Sequence, residues 1–198
     1  MTALSALALL AFIGLGRWQW QRGVAKETVW QGFSASAGPA LPLGVRTLES
    51  LPRFARIALT GRYDAAHQFL LDNRTLEGAA GYEVLTPLRL ADGRTVLVNR
   101  GWVAFTGYRD RLPDTSLADP GATVTVTGRV DTLPVEGIES GRAPPPPGAA
   151  WPKVTTFPHV REIAVALGRP VEGRQLLLDP SVAGGYTRHW KAPGVPPE

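Results

Sequence analysis

The chain has 198 residues, 44% of them hydrophobic, which suits one compact domain with a single core. The formal net charge of +4 is spread along the sequence without a basic cluster, which argues against nucleic-acid binding. Cysteine is absent, and this excludes disulfide bonds, thiolate metal ligands and cysteine nucleophiles.

An apolar segment opens the chain. Residues 3–16 are apolar except for Ser5, and the segment is followed directly by Arg17, Trp18, Trp20 and Arg22. Aromatic and basic side chains in this position are typical of a membrane interface. The segment is shorter than the roughly 20 residues that span a bilayer, yet we expect residues 1–33 to form a transmembrane or anchor helix with its extension. A cleaved signal peptide and an ordinary core helix are the alternatives.

Short apolar runs separated by Gly, Pro and Asp-Gly follow the helix-breaking Gly38-Pro39, and they predict strands. The predicted strands are residues 53–63, 68–74, 82–90, 95–103, 123–130, 153–157 and 174–178. Residues 160–167, followed by Gly168, carry apolar side chains on one helical face and predict a late helix. We therefore expect an α+β, mainly β fold over residues 34–190, with an antiparallel sheet curled into a barrel-like domain.

Two polar motifs end neighbouring predicted strands. The first is Asp72-Asn73-Arg74, and the second is Asn99-Arg100 followed at once by Gly101-Trp102. Gly81 and Tyr82 begin the strand between them. Strand propensity does not account for these polar residues. We expect Asp72, Asn73, Arg74, Asn99 and Arg100 to converge at one end of the sheet beside Tyr82 and Trp102, with Asp72 paired to Arg74 or Arg100.

These motifs resemble the Surfeit locus protein 1 family, membrane-anchored factors that help to assemble haem-copper cytochrome c oxidase. The matching segments are residues 15–22, 71–74, 81–82, 86–88, 92–93 and 98–103. The resemblance implies a chaperone-like factor that assists haem insertion or maturation of the catalytic subunit. It implies as partners the membrane, the catalytic subunit of cytochrome c oxidase and haem-synthesis enzymes. A membrane-tethered ligand- or protein-binding domain without an oxidase role is the alternative.

The resemblance also implies a location and a cofactor. The location is a bacterial inner membrane with the soluble domain on the periplasmic side, although basic residues after the apolar segment favour a cytoplasmic domain. Haem is the implied cofactor, and its ligand in the family lies early in a second membrane helix. We expect residues 191–198 to be a linker stub toward such a helix, which this sequence does not contain.

Two hypotheses describe the polar cluster. In the first, Arg74 and Arg100 hold haem propionates or the carboxylates of a partner protein. In the second, the cluster is a buried hydrogen-bond network that fixes strand register, where Gly101 permits close approach and Trp102 fills the core.

Catalytic and metal-binding patterns are weak. The histidines His67, His159 and His189 have no second ligand at helical spacing, so no metal site is predicted. We expect His67 to be exposed and treat His189 as the sole candidate for an auxiliary haem contact. Neither a nucleophile elbow nor a phosphate loop occurs, and we predict that the protein is not an enzyme and has no catalytic residue.

Overall fold

A computed structural model describes residues 2–36, 38–135, 143–148 and 150–190. The helices are α1 (Thr2–Ala35) and α2 (Val160–Leu167), and a single 3-10 turn lies at Leu48–Ser50. The strands are β1 (Leu41–Pro42), β2 (Arg56–Tyr63), β3 (Phe69–Leu76), β4 (Ala79–Leu90), β5 (Thr95–Ala104), β6 (Thr123–Thr132), β7 (Lys153–Thr155) and β8 (Arg174–Leu178). Residues 38–190 form a compact unit of their own.

Five of the strands close into a barrel. The ring runs β2–β6–β8–β5–β4 and returns to β2, because β2 pairs with both β6 and β4. Gly61 lies where the partners change, opposite Val124 on one side and Leu90 on the other. β3 extends the sheet beyond β4 and carries β7, while β1 adds to β2. The predicted barrel-like, mainly β domain is confirmed.

Side-chain alternation along the strands produces two apolar layers. The inside of the barrel is filled by aliphatic side chains from its strands: Ile57, Leu59, Leu88, Val96, Val98, Val126, Val130, Leu176 and Leu178. The other face of β3, β4 and β5 packs on α2, where Ile163 contacts Phe69 and Leu97 in one cluster. A third cluster joins Leu70 and Tyr82 to Phe105 on the loop after β5.

One end of the barrel is closed by residues 43–51, which we call the strap. Its leucines Leu43, Leu48 and Leu51 are buried in the barrel core. Arg94 donates hydrogen bonds to two strap carbonyls at 2.6 and 2.7 Å, and Arg174 donates to a third at 2.6 Å. The strap is thus held by apolar contacts with the barrel core and by hydrogen bonds from the Arg94 and Arg174 guanidinium groups.

The predicted late helix α2 is present, and a capping interaction marks each of its ends. The backbone N–H of His159 donates to the Glu162 carboxylate at 3.0 Å, in a capping box at the N-terminus. Gly168 ends the helix in the left-handed conformation, at φ 66°.

The N-terminal helix α1 extends through residues 19–33, as the sequence predicts. Apolar side chains near its start are largely exposed on the helix, with Leu10 at 67% and Phe12 at 70%. Within the part of the chain that the structure describes, no helix offers an apolar stretch long enough to cross a membrane. The predicted transmembrane anchor is therefore not supported, because Arg17 and Gln19 interrupt the apolar run. Residues 191–198, the predicted linker stub, lie outside the described residues.

Candidate functional site

Both Asn-Arg motifs form β-bulges, one on each side of β4. In β3, Asp72 and Asn73 together lie opposite the single residue Tyr82. In β5, Arg100 and Gly101 together lie opposite Val84. The extra residue needs an unusual backbone, and Asn73 (φ 59°) and Gly101 (φ 106°) adopt left-handed values that Asn and Gly tolerate. The bulges explain why polar residues and a glycine interrupt two apolar strands.

The two bulges are joined through Trp102. Its indole N–H donates to the main-chain carbonyl oxygen of Arg74 at 3.2 Å. Its ring covers Gly81 so closely that a Cβ on that glycine would lie 2.4 Å from the indole Cε2. The motif residues Gly81 and Trp102 are therefore matched to each other by shape.

Arg100 lies at the end of the barrel opposite the strap, and only 2% of it is exposed. Its Nε donates to the carbonyl oxygen of Gly184 at 2.7 Å. Its Nη1 donates to Gln68 Oε1 and to the carbonyl oxygen of Thr115, both at 3.1 Å. These bonds tie β5 to the loop before β6 and to the segment after β8.

The Arg100 guanidinium lies near tyrosine rings, 5.0 Å from the Tyr186 centroid and 6.0 Å from that of Tyr63. Among the described residues no carboxylate contacts it, and burial lowers the pKa of this guanidinium from its usual value. Burial also raises the pKa of Tyr63 to about 12, so this phenol stays neutral. The buried cation is stabilised by neutral acceptors and aromatic faces. For Arg100 this arrangement agrees with the second hypothesis, a buried hydrogen-bond network, because a buried guanidinium cannot contact a partner protein.

Asn99 belongs to a different network. It is fully buried, and its Nδ2 donates to Glu83 Oε2 at 2.7 Å and to Gln175 Oε1 at 3.2 Å. Its Oδ1 accepts from the backbone N–H of Gly101 at 3.1 Å, which fixes the bulge. Because successive strand residues point to opposite faces, Asn99 and Arg100 do not converge. The predicted cluster is thus divided between the two faces of β5.

Asp72 is paired with Arg109, and the expected pairing with Arg74 or Arg100 is wrong. The carboxylate accepts from Arg109 Nη1 and, at 2.7 Å, from the backbone N–H of Asn73. Arg109 is exposed, with its guanidinium 5.2 Å from the Phe105 ring. It lies in the loop after β5, which has no periodicity, so no sequence pattern indicates its role.

Arg74 is the motif arginine nearest to solvent. It is half-buried, and its Nη2 donates weakly to the carbonyl oxygen of Thr156 at 3.4 Å. Its buried Nε has no hydrogen-bond partner among the described residues. The guanidinium lies 5.3 Å from the Phe157 ring. Arg74 therefore keeps donor capacity that Arg100 has already used.

The three histidines lie in different environments and do not form a common site. His67 is half-buried rather than exposed, and its Nδ1 lies 2.7 Å from Asp64 Oδ1. His159 caps α2, and His189 is half exposed with its Nδ1 4.0 Å from Glu77 Oε1. No three His, Cys, Asp or Glu side chains come together as metal ligands in the described ranges. An exposed imidazole such as His189 does not by itself enclose a haem.

The four residues predicted at a membrane interface share exposed positions on α1. Trp18 and Trp20 are both exposed, and the Arg22 guanidinium lies 4.9 Å from the Trp18 ring. These side chains are thus available for contact with a lipid headgroup region or with another protein.

Comparison with known proteins places these features in a family. A sequence model of the SURF1 family matches residues 6–196. A SURF1-like protein of Dictyostelium discoideum is 43% identical over 53 residues, which are 27% of this chain and 20% of that protein. A SURF1-like protein of Monosiga brevicollis is 34% identical over 115 residues, 51% of this chain and 43% of the relative. An uncharacterized SURF1-like protein of Mycobacterium tuberculosis is 33% identical over 133 residues, 63% and 48% of the two chains.

The chain spans less than half the length of each of these curated relatives. The family match nevertheless covers nearly all of this chain, including both bulges and the strap. The chain belongs to the SURF1 family.

Proposed function

We propose that this protein is an assembly factor for haem-copper cytochrome c oxidase that assists haem insertion or maturation of the catalytic subunit. The observation that carries the proposal is the family match over residues 6–196, because this family is known for oxidase assembly. The protein acts by binding and orienting a partner rather than by catalysing a reaction. Its direct partner is the catalytic subunit, and haem-synthesis enzymes take part in the same process.

The surface that meets the partner is the outer side of the two bulges, which we call the hairpin surface. It consists of Arg74, Trp102, Phe105, Arg109 and Phe157. The surface has two parts. Trp102 bonds to Arg74, which lies beside Phe157, and Arg109, which pairs with Asp72 in the β3 bulge, lies beside Phe105. Arginine and aromatic side chains are the residues most enriched at protein interfaces. The buried Arg100 network supports this patch from within the barrel.

Arg74 is the motif arginine on this surface with free donor capacity. A guanidinium binds carboxylates through two parallel hydrogen bonds, so Arg74 suits an acidic side chain of the partner or a haem propionate. Haem is the cofactor that the proposal implies, and the described histidines supply no enclosed axial site for it. We therefore assign Arg74 to carboxylate recognition and no described residue to the haem iron.

The protein works at the bacterial inner membrane, with residues 38–190 on the periplasmic side. The exposed apolar side chains of α1, followed by Trp18, Trp20 and Arg22, support contact with a lipid surface. Vesicle sedimentation tests this location. The wild-type chain is expected to sediment with anionic vesicles, and a Leu10→Arg, Phe12→Arg variant is expected to stay in the supernatant. If the wild type and the variant sediment equally with the vesicles, α1 does not bind the lipid surface and the proposed role of this helix is wrong.

Complementation of a deletion strain tests the function. Deleting the gene should reduce the oxidase haem absorbance in membranes, and the wild-type gene should restore it. Arg74→Glu should fail to restore the absorbance while the protein accumulates normally, because charge reversal repels a carboxylate. Arg62→Glu, which reverses an exposed arginine on β2, is the matched control and should complement. Normal oxidase haem spectra after deletion would instead favour a ligand- or protein-binding domain unrelated to oxidase assembly.

A further inference from the structure

A cavity lies between α2 and residues 143–148, a proline-rich segment before β7 that we call the proline arm. The cavity has a volume of about 450 Å³. Pro144–Pro147 form one of its walls, and Arg161, Glu162, Val165 and Ala166 of α2 form another. Ligand cavities in proteins have volumes of about 300–1,000 Å³, so this cavity is large enough for a small organic molecule.

The proline arm is fixed to β7 and to the residue after it. The carbonyl oxygen of Ala143 accepts from the Thr156 backbone N–H at 3.1 Å and from the Thr155 hydroxyl at 2.6 Å. Lys153, which is 5% exposed, donates from its Nζ to the carbonyl oxygen of Pro146 at 2.6 Å. The wall is therefore positioned by the fold, and the cavity does not depend on a ligand to form.

The cavity presents mainly apolar surface. Proline has no backbone N–H, so Pro144–Pro147 offer ring faces and carbonyl oxygens but no hydrogen-bond donor. On the opposite wall, Val165 is 77% exposed. An extended peptide along the proline wall would leave its own carbonyl groups without donors, whereas a hydrocarbon chain needs none. The walls thus suit a hydrocarbon chain, which removes their apolar surface from water.

The charged residues of the α2 wall lie at one end of it. Arg161 and Glu162 belong to the first turn of the helix, and Val165 and Ala166 lie one turn later, about 5.4 Å along the axis. Glu162 accepts from the His159 backbone N–H at 3.0 Å in the capping box. Arg161 is exposed and makes no hydrogen bond or ion pair with the described residues. The helix therefore presents a guanidinium for an anion at one end and apolar side chains at the other.

We propose that this cavity binds a single-chain amphiphile with a terminal carboxylate, a ligand of the fatty-acid type. The carboxylate pairs with the Arg161 guanidinium, which matches it through two parallel hydrogen bonds. The hydrocarbon chain lies between the proline rings and Val165. No residue of the hairpin surface lines this cavity, so the site is separate from the proposed assembly role and is tested independently of it.

Isothermal titration calorimetry of the full chain with dodecanoate, below the concentration at which it forms micelles, tests the site. The wild type is expected to show saturable binding. Arg161→Gln should weaken dodecanoate binding about tenfold, because a hydrogen bond between two charged groups is lost. The same variant should bind dodecanol, which has no carboxylate, as the wild type does. Arg62→Gln, which changes an exposed arginine on β2, is the control and should bind both compounds normally.

Val165→Gln tests the apolar part of the cavity. Because the valine is largely exposed and glutamine favours helix, this variant should unfold at the wild-type temperature. It should bind both dodecanoate and dodecanol more weakly than the wild type. Val45→Gln is the matched control, since Val45 is 99% exposed on the strap, and it should bind as the wild type does.

Glu162→Gln should have the opposite effect. Glutamine also forms a capping box, so the helix is kept, while a negative charge next to Arg161 in the sequence is removed. Dodecanoate should bind more tightly and dodecanol should be unaffected. The proposal is overturned if the wild type shows no saturable binding of dodecanoate. It is also overturned if Arg161→Gln and Val165→Gln bind as the wild type does, which is the result for a ligand held by α1, or if Arg161→Gln weakens dodecanoate and dodecanol equally.

Discussion

Trp102 donates its indole N–H to the main-chain carbonyl oxygen of Arg74 at 3.2 Å, and through this bond one bulge holds the other. The tryptophan follows the bulge of β5, and the arginine follows the bulge of β3. Between them lies β4, whose Gly81 provides the space that the indole ring occupies. The main-chain geometry of the two bulges consequently determines where Arg74 and Trp102 lie on the hairpin surface.

Gly81→Ala should destabilise the protein. The added Cβ would lie 2.3 Å from the carbonyl oxygen of Val103 and 2.4 Å from the Trp102 ring, and overpacking of this kind costs about 1–3 kcal/mol. Urea unfolding measures the loss. Gly121→Ala is the control, because the nearest atom to its added Cβ is 3.8 Å away, and it should leave the midpoint unchanged. An equal shift in both variants would contradict the packing argument.

Arg100→Lys should lower the free energy of unfolding by about 1–3 kcal/mol. A lysine ammonium cannot reach the acceptors on Gln68, Thr115 and Gly184 together, so at least one buried acceptor loses its donor. Arg74→Lys should change stability by less, since Arg74 makes one weak bond at 3.4 Å. Thermal unfolding of the two variants side by side tests the division between a structural and a surface arginine.

Asn73 should tolerate glycine and reject valine. Its φ of 59° is readily adopted by glycine but costs a β-branched residue about 1–2 kcal/mol. We expect Asn73→Gly to unfold at the wild-type urea concentration and Asn73→Val to unfold earlier. If both variants unfold at the same urea concentration, the left-handed backbone of the bulge does not explain the asparagine at this exposed position.

Asp64 should make stability depend on acid pH. Burial would raise the pKa of its carboxyl, but hydrogen bonds from Arg169 and His67 outweigh this and lower it below the usual value of 3.8. The unfolded chain therefore takes up the proton first, and stability falls as the pH drops below 3.8 through the folded-state pKa. Asp64→Asn should be less stable at neutral pH, by about 1–3 kcal/mol, and should lose less on acidification. Urea unfolding at a series of pH values measures both slopes, and parallel slopes would contradict the assignment.

Local signals were sufficient for most of the fold. The Thr123–Thr132 strand alternates as its sequence suggests, and Val126 and Val130 point into the core. Gly168 ends α2 at the predicted residue. The closure of the barrel was predicted only in outline, because the pairing of β2 with β4 joins residues far apart in sequence and leaves no local pattern.

The candidate site was harder to predict than the fold. The polar motif residues stand out in the sequence, but their arrangement depends on two bulges that shift the register of β3 and β5 against β4. Without those shifts, Asp72 is placed near the wrong arginine. The predicted membrane helix is not supported among the described residues, because the flanking tryptophans and arginines are typical of a membrane interface but the apolar run before them is too short to span a bilayer.

Gly61 allows the close approach of β2 and β4 that closes the barrel. A Cβ at this position would lie 2.3 Å from the carbonyl oxygen of Arg89, so any other residue would push β2 away from β4. The ring would then open along the three residue pairs that join β2 to β4, and the amides and carbonyls of Gly61–Tyr63 and Leu88–Leu90 would lose their partners. A substitution at this glycine would therefore expose backbone groups that can pair with another copy of the chain, which favours self-association.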